Sequence, residues 1–126
     1  MKPVQVTGIF DHTKEIMVDK YYKGEKGVEI ITPFYTHLNE KGEECGIMVN
    51  RGWVPEDLKL MKMHYNSAMS GTITGLLYRG DPKTKYTYPN APLINDIRRN
   101  DPYELSLVAN LNNKEEAGKF MLLLVD

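Results

Sequence analysis

The 126-residue sequence predicts a mainly β (α+β) domain: an antiparallel sheet or small barrel of about six strands, with one helix from the C-terminal half packed on it. Three observations lead to this prediction. Six short segments are rich in β-branched, aromatic or other apolar residues and are separated by glycine-containing or polar stretches. Only one segment carries a clear helix start. The length suits one domain and no repeat or internal boundary interrupts it, so residues 1–126 are expected to fold as a single domain.

The first two strands are expected at residues 3–10 and 14–22. Along the first, apolar residues and glycine alternate with polar residues, which is the period of a half-buried strand. The second is a short apolar run with charged flanks. Residues 23–27, with the sequence KGEKG, supply the glycines of a turn after it.

Residues 27–53 are expected to form an antiparallel hairpin. Two β-rich runs flank a polar loop at residues 38–45, centred on Gly42. Pro33 falls late in the first run, and a proline there indicates an edge position or a bulge, since it cannot donate to a strand ladder.

The second half of the chain contributes two strands, two loops and the helix. They are a loop with one helical turn (56–71), a strand (71–80), a proline-containing loop (81–96), the helix (101–113) and a buried final strand (118–126). The helix prediction rests on Asp101 as N-cap and Pro102 at the first helical position, followed by helically spaced leucine and valine.

Composition excludes several classes of function. The chain has 16 basic and 17 acidic residues and a net charge of −1, so nothing favours nucleic acid or an anionic membrane surface as partner. Its single cysteine, Cys45, allows no intramolecular disulfide and no CxxC pair. The longest apolar run, residues 120–125, is far below the ~20 residues of a membrane span. No signal or transit sequence opens the chain, so we expect it to be soluble or held at a membrane by something else.

Asp11 and His12, with Glu15 nearby, are candidates for acid–base chemistry. The alternative is a tight turn between the first two strands, begun by Asp11, with His12 exposed. Neighbouring residues on an extended chain point to opposite sides, which makes an Asp-His dipeptide a poor dyad and favours the turn.

The candidate metal ligands are three histidines and the cysteine: His12, His37, His64 and Cys45. No two of them have the short spacing of a zinc site, so no metal is expected. Phosphate-binding glycine motifs and the GxSxG and HExxH motifs are also absent, which argues against an enzyme. Tyr86 and Tyr88, in the 81–96 loop, either stack on a planar ligand or cover an edge of the core.

Residues 50–53 stand out because Asn50, Arg51, Gly52 and Trp53 follow an apolar strand directly. A guanidinium is costly there unless it is paired or exposed, and the tryptophan N–H needs a partner when buried. One interpretation is a structural corner, in which Trp53 fills one end of the sheet and Arg51 bonds backbone carbonyls or a carboxylate. The other is a partner-binding surface, because Trp and Arg are enriched in interface hot spots.

Three blocks in this order, VTGIFDHTKEIMV, GVEIITPFYTH and IMVNRGWVP, resemble the Surf1 family of cytochrome c oxidase assembly factors. In that family a G-x-F-D-H-x-K-E strand end precedes a glycine-led strand ending in T-P and a strand ending in V-N-R-G-[WF]-V-P. SGTITGLLYRG and FMLLLVD resemble later family strands. The resemblance covers nearly the whole chain, densely up to Pro55 and thinly after residue 80.

The resemblance implies a non-enzymatic assembly factor or accessory subunit of cytochrome c oxidase (complex IV of the respiratory chain), linked to insertion of heme a. It implies protein–protein interaction with oxidase subunits at the mitochondrial inner membrane, on the intermembrane-space side, or at the periplasmic face of a bacterial membrane. The family's two membrane helices and its tryptophan-histidine-tyrosine stretch are not matched; the corresponding stretch here reads NDIRRNDPYEL.

We therefore expect this chain itself to bind no heme and to dock peripherally on the membrane complex, either as a fragment or as a soluble domain. The alternative is a small β-barrel that binds heme or another planar ligand through Tyr86, Tyr88 and Trp53.

Overall fold

A computed structural model of the protein describes residues 3–58, 70–81 and 99–125. These residues form six strands, two short α-helices and two 3-10 turns. The strands are β1 (Pro3–Phe10), β2 (Ile16–Tyr22), β3 (Glu25–Leu38), β4 (Glu44–Pro55), β5 (Ser70–Tyr78) and β6 (Met121–Leu124). The helices are α1 (Pro102–Val108) and α2 (Lys114–Ala117), and the 3-10 turns are His12–Lys14 and Glu56–Leu58. The number of strands and their positions agree with the sequence prediction.

Five strands close into a barrel in the order β1-β5-β6-β4-β3, because β1 also pairs with β3. Strand β2 pairs with β3 beyond the end of β1 and adds a sixth strand to the sheet. The barrel is mixed rather than purely antiparallel, since β4 and β6 run parallel. The long connection from β4 to β6, which includes β5 and both helices, is what a parallel neighbour requires.

The predicted hairpin is formed by β3 and β4, which confirms the interpretation of residues 27–53. Asn39 closes its loop: its side-chain Oδ1 accepts N–H groups of Lys41 and Glu43, each at 2.9 Å. Gly42 has φ +77°, a backbone conformation that glycine adopts without steric cost. The loop therefore lies where the sequence predicted it.

The turn between β2 and β3 is tighter than predicted. It consists of Lys23 and Gly24 alone, with φ 51° and 80°, and Tyr22 pairs directly with Glu25 across it. Two consecutive residues with positive φ are typical of the two-residue turn that matches the twist of a hairpin. Strand β3 therefore begins before the second glycine of KGEKG.

Pro33 lies in β3 at the gap between its two partners on one side, since β2 pairs with β3 up to Ile31 and β1 pairs from Phe34. The predicted edge position is therefore correct locally, although β3 as a whole is an inner strand. Pro33 is not a bulge, because it pairs in register with Met48. Its carbonyl accepts the backbone N–H of Asp11 at 3.0 Å, so its nitrogen faces the connection between β1 and β2. No ladder hydrogen bond is needed from the nitrogen at that position, which makes proline acceptable there.

Helix α1 begins as predicted and ends earlier. Asp101 caps it by accepting the N–H groups of Tyr103 and Glu104 at 3.0 and 3.2 Å. The helix ends at Val108 rather than 113, since Asn110 takes a left-handed conformation with φ 56°. The chain then turns and places Leu111 in the core. A left-handed residue just after the last turn is a common helix stop.

The buried apolar residues form two clusters on opposite faces of the sheet. One fills the barrel and contains residues of β1, β3, β4 and β6, namely Phe10, Phe34, Val49 and Leu122. The other lies between the sheet and the two helices, namely Ile16, Val18, Ile31, Met48, Leu105, Ala109, Leu111, Ala117 and Met121. Adjacent residues of β4, Met48 and Val49, belong to different clusters, as the alternation of a strand requires.

Candidate functional site

Two blocks far apart in sequence meet at one end of the sheet: residues 11–15, between β1 and β2, and residues 50–53, near the end of β4. Strand β3 brings them together, because it pairs with β1 and β2 along one side and with β4 along the other. Ile31 illustrates the arrangement, since it pairs with Ile16 on one side and Asn50 on the other. Polar side chains from both blocks thus come within hydrogen-bond distance.

A β-bulge in β4 lies next to Asn50 and Arg51 and affects the directions in which their side chains point. Glu29 pairs with Trp53 and Ile31 with Asn50, so two residues of β4 lie opposite a single residue of β3. The extra residue is accommodated at Gly52, whose φ is 111° and whose N–H donates to Asn50 Oδ1 at 2.9 Å. Bulges commonly redirect a side chain in this way.

Arg51 forms a buried ion pair with Glu15. Its Nη1 donates to Glu15 Oε2 at 2.8 Å, and the two side chains are 11% and 3% exposed. Thr32 donates to the same oxygen at 2.8 Å. The guanidinium carbon also lies 5.7 Å from the centre of the Phe10 ring, a cation–π distance, so the pair adjoins the barrel cluster. The expectation that Arg51 bonds a carboxylate is confirmed.

His12 belongs to the same cluster, which corrects the prediction that it is exposed. Its Nδ1 lies 3.2 Å from Glu15 Oε2 and 3.4 Å from Arg51 Nη1, and its side chain is 12% exposed. Its ring is stacked 5.7 Å from Phe10. The 3-10 turn causes this burial, since it brings residues three apart to the same side. His12 Nε2 is buried without a hydrogen-bond partner among the described residues.

Asp11 begins the turn, as the sequence predicted, and does not pair with His12. It accepts hydrogen bonds from the N–H and hydroxyl of Thr13 and from the Tyr35 hydroxyl, the last at 2.8 Å. Burial alone would raise the pKa of Asp11, but these hydrogen bonds and nearby Lys14 together hold its pKa below the ordinary value. Burial and the bond to Asp11 raise the pKa of Tyr35. Asp11 is thus a structural acceptor.

Asn50 forms hydrogen bonds on the face of the sheet opposite to the Arg51–Glu15 pair. Its Nδ2 donates to Glu29 Oε2 at 3.0 Å and to the Tyr78 hydroxyl at 3.2 Å. The other carboxylate oxygen of Glu29 accepts from Asn100 at 2.7 Å. Burial, the largest cause, raises the pKa of Tyr78 to about 12; Glu29 and Asp81 add to the rise and the bond to Asn50 opposes it. This network links β3, β4 and β5 to the residue just before the cap of α1.

Trp53 is mostly but not fully buried, which confirms the prediction of its burial. Its indole N–H donates to the Lys20 carbonyl at 3.0 Å, which confirms that the group has a partner. Its ring packs against Gly27, where any added Cβ would overlap it, and lies 5.4 Å from the exposed ring of Tyr22. Trp53 therefore covers the hairpin of β2 and β3 rather than filling the end of the barrel.

Sequence reasoning missed several partners of these residues. Glu29 is the informative case, because a single carboxylate inside the apolar run GVEIITPF signals a buried hydrogen-bond partner. Tyr78 and Asn100 gave no such signal. Tyr86, Tyr88 and His64 lie outside the described residues, so the prediction of a ligand-stacking tyrosine pair stays a prediction.

The cluster has little capacity for acid–base chemistry. Glu15 Oε2 is contacted by Arg51, Thr32 and His12, and the Glu15 side chain is only 3% exposed, so the carboxylate is not presented to a substrate. Within residues 3–58, 70–81 and 99–125, no group of three His, Cys, Asp or Glu side chains is placed to hold a metal ion. The geometry supports a structural corner, formed by residues 11–15 and 50–53 and held by the ion pair and hydrogen bonds described above. Whether this corner also binds a partner stays a prediction.

Two further findings bear on identity. Over the part of the chain that the structure describes, no helix is both long enough and apolar enough to cross a bilayer. A search of curated proteins gives no match. The family model of the SURF1 family, in contrast, matches residues 1–120, which include all the residues of the corner and five of the six strands. The chain therefore belongs to the SURF1 family.

Proposed function

We propose that this domain acts in the assembly of cytochrome c oxidase by binding a membrane-embedded oxidase subunit, without catalysing a reaction. Membership of the SURF1 family carries the proposal, since that family implies a role in oxidase assembly at the mitochondrial inner membrane or a bacterial membrane. In this proposal the domain docks peripherally on the intermembrane-space or periplasmic side, as a transient factor or a lasting subunit, at the stage of heme a insertion.

The chemistry of the corner supports a binding role over a catalytic one. The polar groups of Asn50, Arg51 and Glu15 are engaged with one another or with neighbouring strands. A catalytic acid, base or nucleophile must be presented to a substrate, whereas these groups hold strands together. Exposed aromatic surface remains beside the corner at Tyr22, in contact with Trp53. Aromatic side chains of this kind are frequent in protein interfaces.

Heme a enters the proposal only as cargo of the assembly process. His12 is a poor heme ligand in this fold, because Nδ1 is shared between Glu15 and Arg51 and Nε2 is buried. We therefore assign no heme-binding residue among the described ones. The alternative, a heme-binding barrel using Tyr86 and Tyr88, would be supported by a Soret band that persists after desalting.

The test is affinity purification of the tagged domain from detergent-solubilised membranes, with partners identified by mass spectrometry. Because the net charge is −1, attachment is expected to depend on shape and apolar contact and to survive a few tenths molar salt, where charge attraction is strongly screened. Recovery of oxidase subunits at that salt supports the proposal. A folded domain that recovers none of them would overturn it.

A matched pair of substitutions tests whether the corner faces the partner. Tyr22→Ala and Tyr103→Ala each remove an exposed tyrosine, 55% and 49% exposed, one beside Trp53 and one on α1. If the corner binds the oxidase, Tyr22→Ala lowers recovery and Tyr103→Ala leaves it unchanged. Equal recovery with both variants would restrict Trp53 and its neighbours to a structural role.

A further inference from the structure

The outer edge of β2 pairs with no other strand among residues 3–58, 70–81 and 99–125. Among the described strands β2 pairs with β3 alone, in a continuous register from Ile16 to Tyr22. A two-residue turn makes its flanking pair, Tyr22 and Glu25, a hydrogen-bonded pair, and such pairs then alternate along an antiparallel ladder. The N–H and C=O groups of Met17, Asp19 and Tyr21 therefore point away from β3.

These outward groups have no backbone partner in the part of the chain that the structure describes. Proteins usually protect an exposed strand edge with charged side chains, a proline, a bulge or a covering element. Strand β2 contains no proline and its pairing with β3 shows no bulge. Of these devices it has the charge of Asp19, at the middle of the edge. The edge is therefore able to pair with a strand that places no acidic side chain opposite Asp19.

A groove lies beside the first half of this strand. It has a volume of about 450 Å³ and is lined by residues 13–17 and by residues 108–110 at the end of α1. Met17 belongs to both, since it lines the groove and is one of the three outward residues of β2. Exposed apolar side chains of α1 stand at this end of the helix, with Leu107 46% and Val108 42% exposed. An apolar side chain entering the groove would bury part of this surface.

We propose that an extended segment of a partner polypeptide adds to the edge of β2 as a further strand. Its backbone pairs with Met17, Asp19 and Tyr21, an apolar side chain sits beside Met17 and Val108, and a basic or uncharged side chain lies opposite Asp19. The unpaired edge and the adjoining groove select an extended peptide, because only a strand supplies donors and acceptors at this spacing. The partner's identity as an oxidase subunit rests on the proposed function; the mode of binding does not.

Photo-crosslinking at three positions tests the mode of binding. Benzoylphenylalanine replaces Met17, Asp19 or Tyr21, one at a time, the domain is recovered from illuminated membranes, and the linked peptides are sequenced. The three positions share one face of β2, so an added strand gives links that advance by about two residues along one continuous segment. Links scattered over unrelated segments, or links to a second copy of this chain, would overturn the proposed occupant.

Asp19→Pro and Asp19→Ala form a matched pair. Both remove the carboxylate, but only proline removes the outward N–H, and an outward position of an edge strand accepts proline. With the crosslinked segment synthesised as a peptide, Asp19→Pro is expected to weaken binding roughly tenfold relative to Asp19→Ala, as loss of one backbone hydrogen bond implies. Thermal melting of both variants shows whether the domain stays folded. Equal affinities in two folded variants would overturn strand addition.

Different experimental results would overturn strand addition and the proposed assembly role. If oxidase subunits are recovered but β2 gives no links in two-residue steps, strand addition is wrong and the assembly role stands. If β2 links in two-residue steps to a protein outside the oxidase, strand addition stands and the assembly role is wrong.

Discussion

Replacing Arg51 by alanine is the sharpest test of the corner. The substitution removes the Nη1 donor to Glu15 and the guanidinium next to Phe10, and it leaves a carboxylate only 3% exposed. Breaking a buried pair by removing one partner costs about 3–5 kcal/mol. Thr32 and His12 still contact Glu15, so we expect the lower end, about 3 kcal/mol. For a domain of this size that corresponds to a melting temperature lower by roughly 10–15 °C.

The assay is denaturant unfolding of the wild type, Arg51→Ala, Glu15→Gln and the double variant, with thermal melting alongside. Removing both partners leaves no uncompensated charge, so the double variant is expected to lose less stability than the sum of the single losses. The slope of the unfolding free energy against denaturant concentration should stay unchanged, because the substitutions alter little of the surface exposed on unfolding. If the double variant loses as much stability as the two single variants together, the two residues do not interact.

The ion pair of Lys26 and Glu56 provides the matched control. It joins the start of β3 to the 3-10 turn after β4 at 3.6 Å, and its side chains are 56% and 40% exposed. Exposed pairs contribute about 0–1 kcal/mol, so Lys26→Ala should change stability by less than about 1 kcal/mol. If Arg51→Ala costs no more than Lys26→Ala, burial does not make the Arg51 pair important and our account of the corner is wrong.

Three further predictions concern the same region. Trp53→Ala should cost about 2–3 kcal/mol in denaturant unfolding, below the ~3–5 kcal/mol of a fully buried tryptophan; a loss under 1 kcal/mol would contradict its packing on Gly27. Gly52→Ala should cost roughly 1–3 kcal/mol, because φ is 111° at the bulge, and an unchanged melting temperature would contradict it. Tyr78 has a folded-state pKa of about 12, above its ordinary value of 10.0, so the stability it contributes is complete below pH 10 and lost as pH rises towards 12. Unfolding free energies measured across that range should fall more steeply for the wild type than for Tyr78→Phe, and identical slopes would contradict the shift.

The parts of the fold that depend on local sequence were predictable. The β3–β4 hairpin followed from two β-rich runs around a polar loop, and the start of α1 from Asp101 and Pro102. The end of α1 was not, because the left-handed Asn110 competes with a run of helix-compatible residues up to 113. The parallel pairing of β4 and β6 depends on contacts between segments about seventy residues apart, which no local pattern encodes.

The same distinction applies to the corner. The need of Arg51 for a partner followed from the cost of burying a charge, and the structure provides Glu15. Which carboxylate it would be depends on the pairing of β3 with strands on both sides, and this is long-range information. The burial of His12 was missed for a related reason, since an extended chain was assumed where a 3-10 turn forms.

The anchoring of the corner changes how variants there must be interpreted. The residues that carry the family resemblance, Arg51 and Glu15 among them, bond mainly to each other and to neighbouring strands, so their substitution unfolds the corner before it alters any surface. Lost recovery of oxidase subunits with such a variant would therefore say nothing about contact with the oxidase unless stability were preserved. The informative positions are exposed ones, Tyr22 beside Trp53 and Asp19 on the β2 edge, where binding and folding can change independently. A partner surface at the corner must consist of what the anchors leave exposed, and the side chains of the anchors are its support.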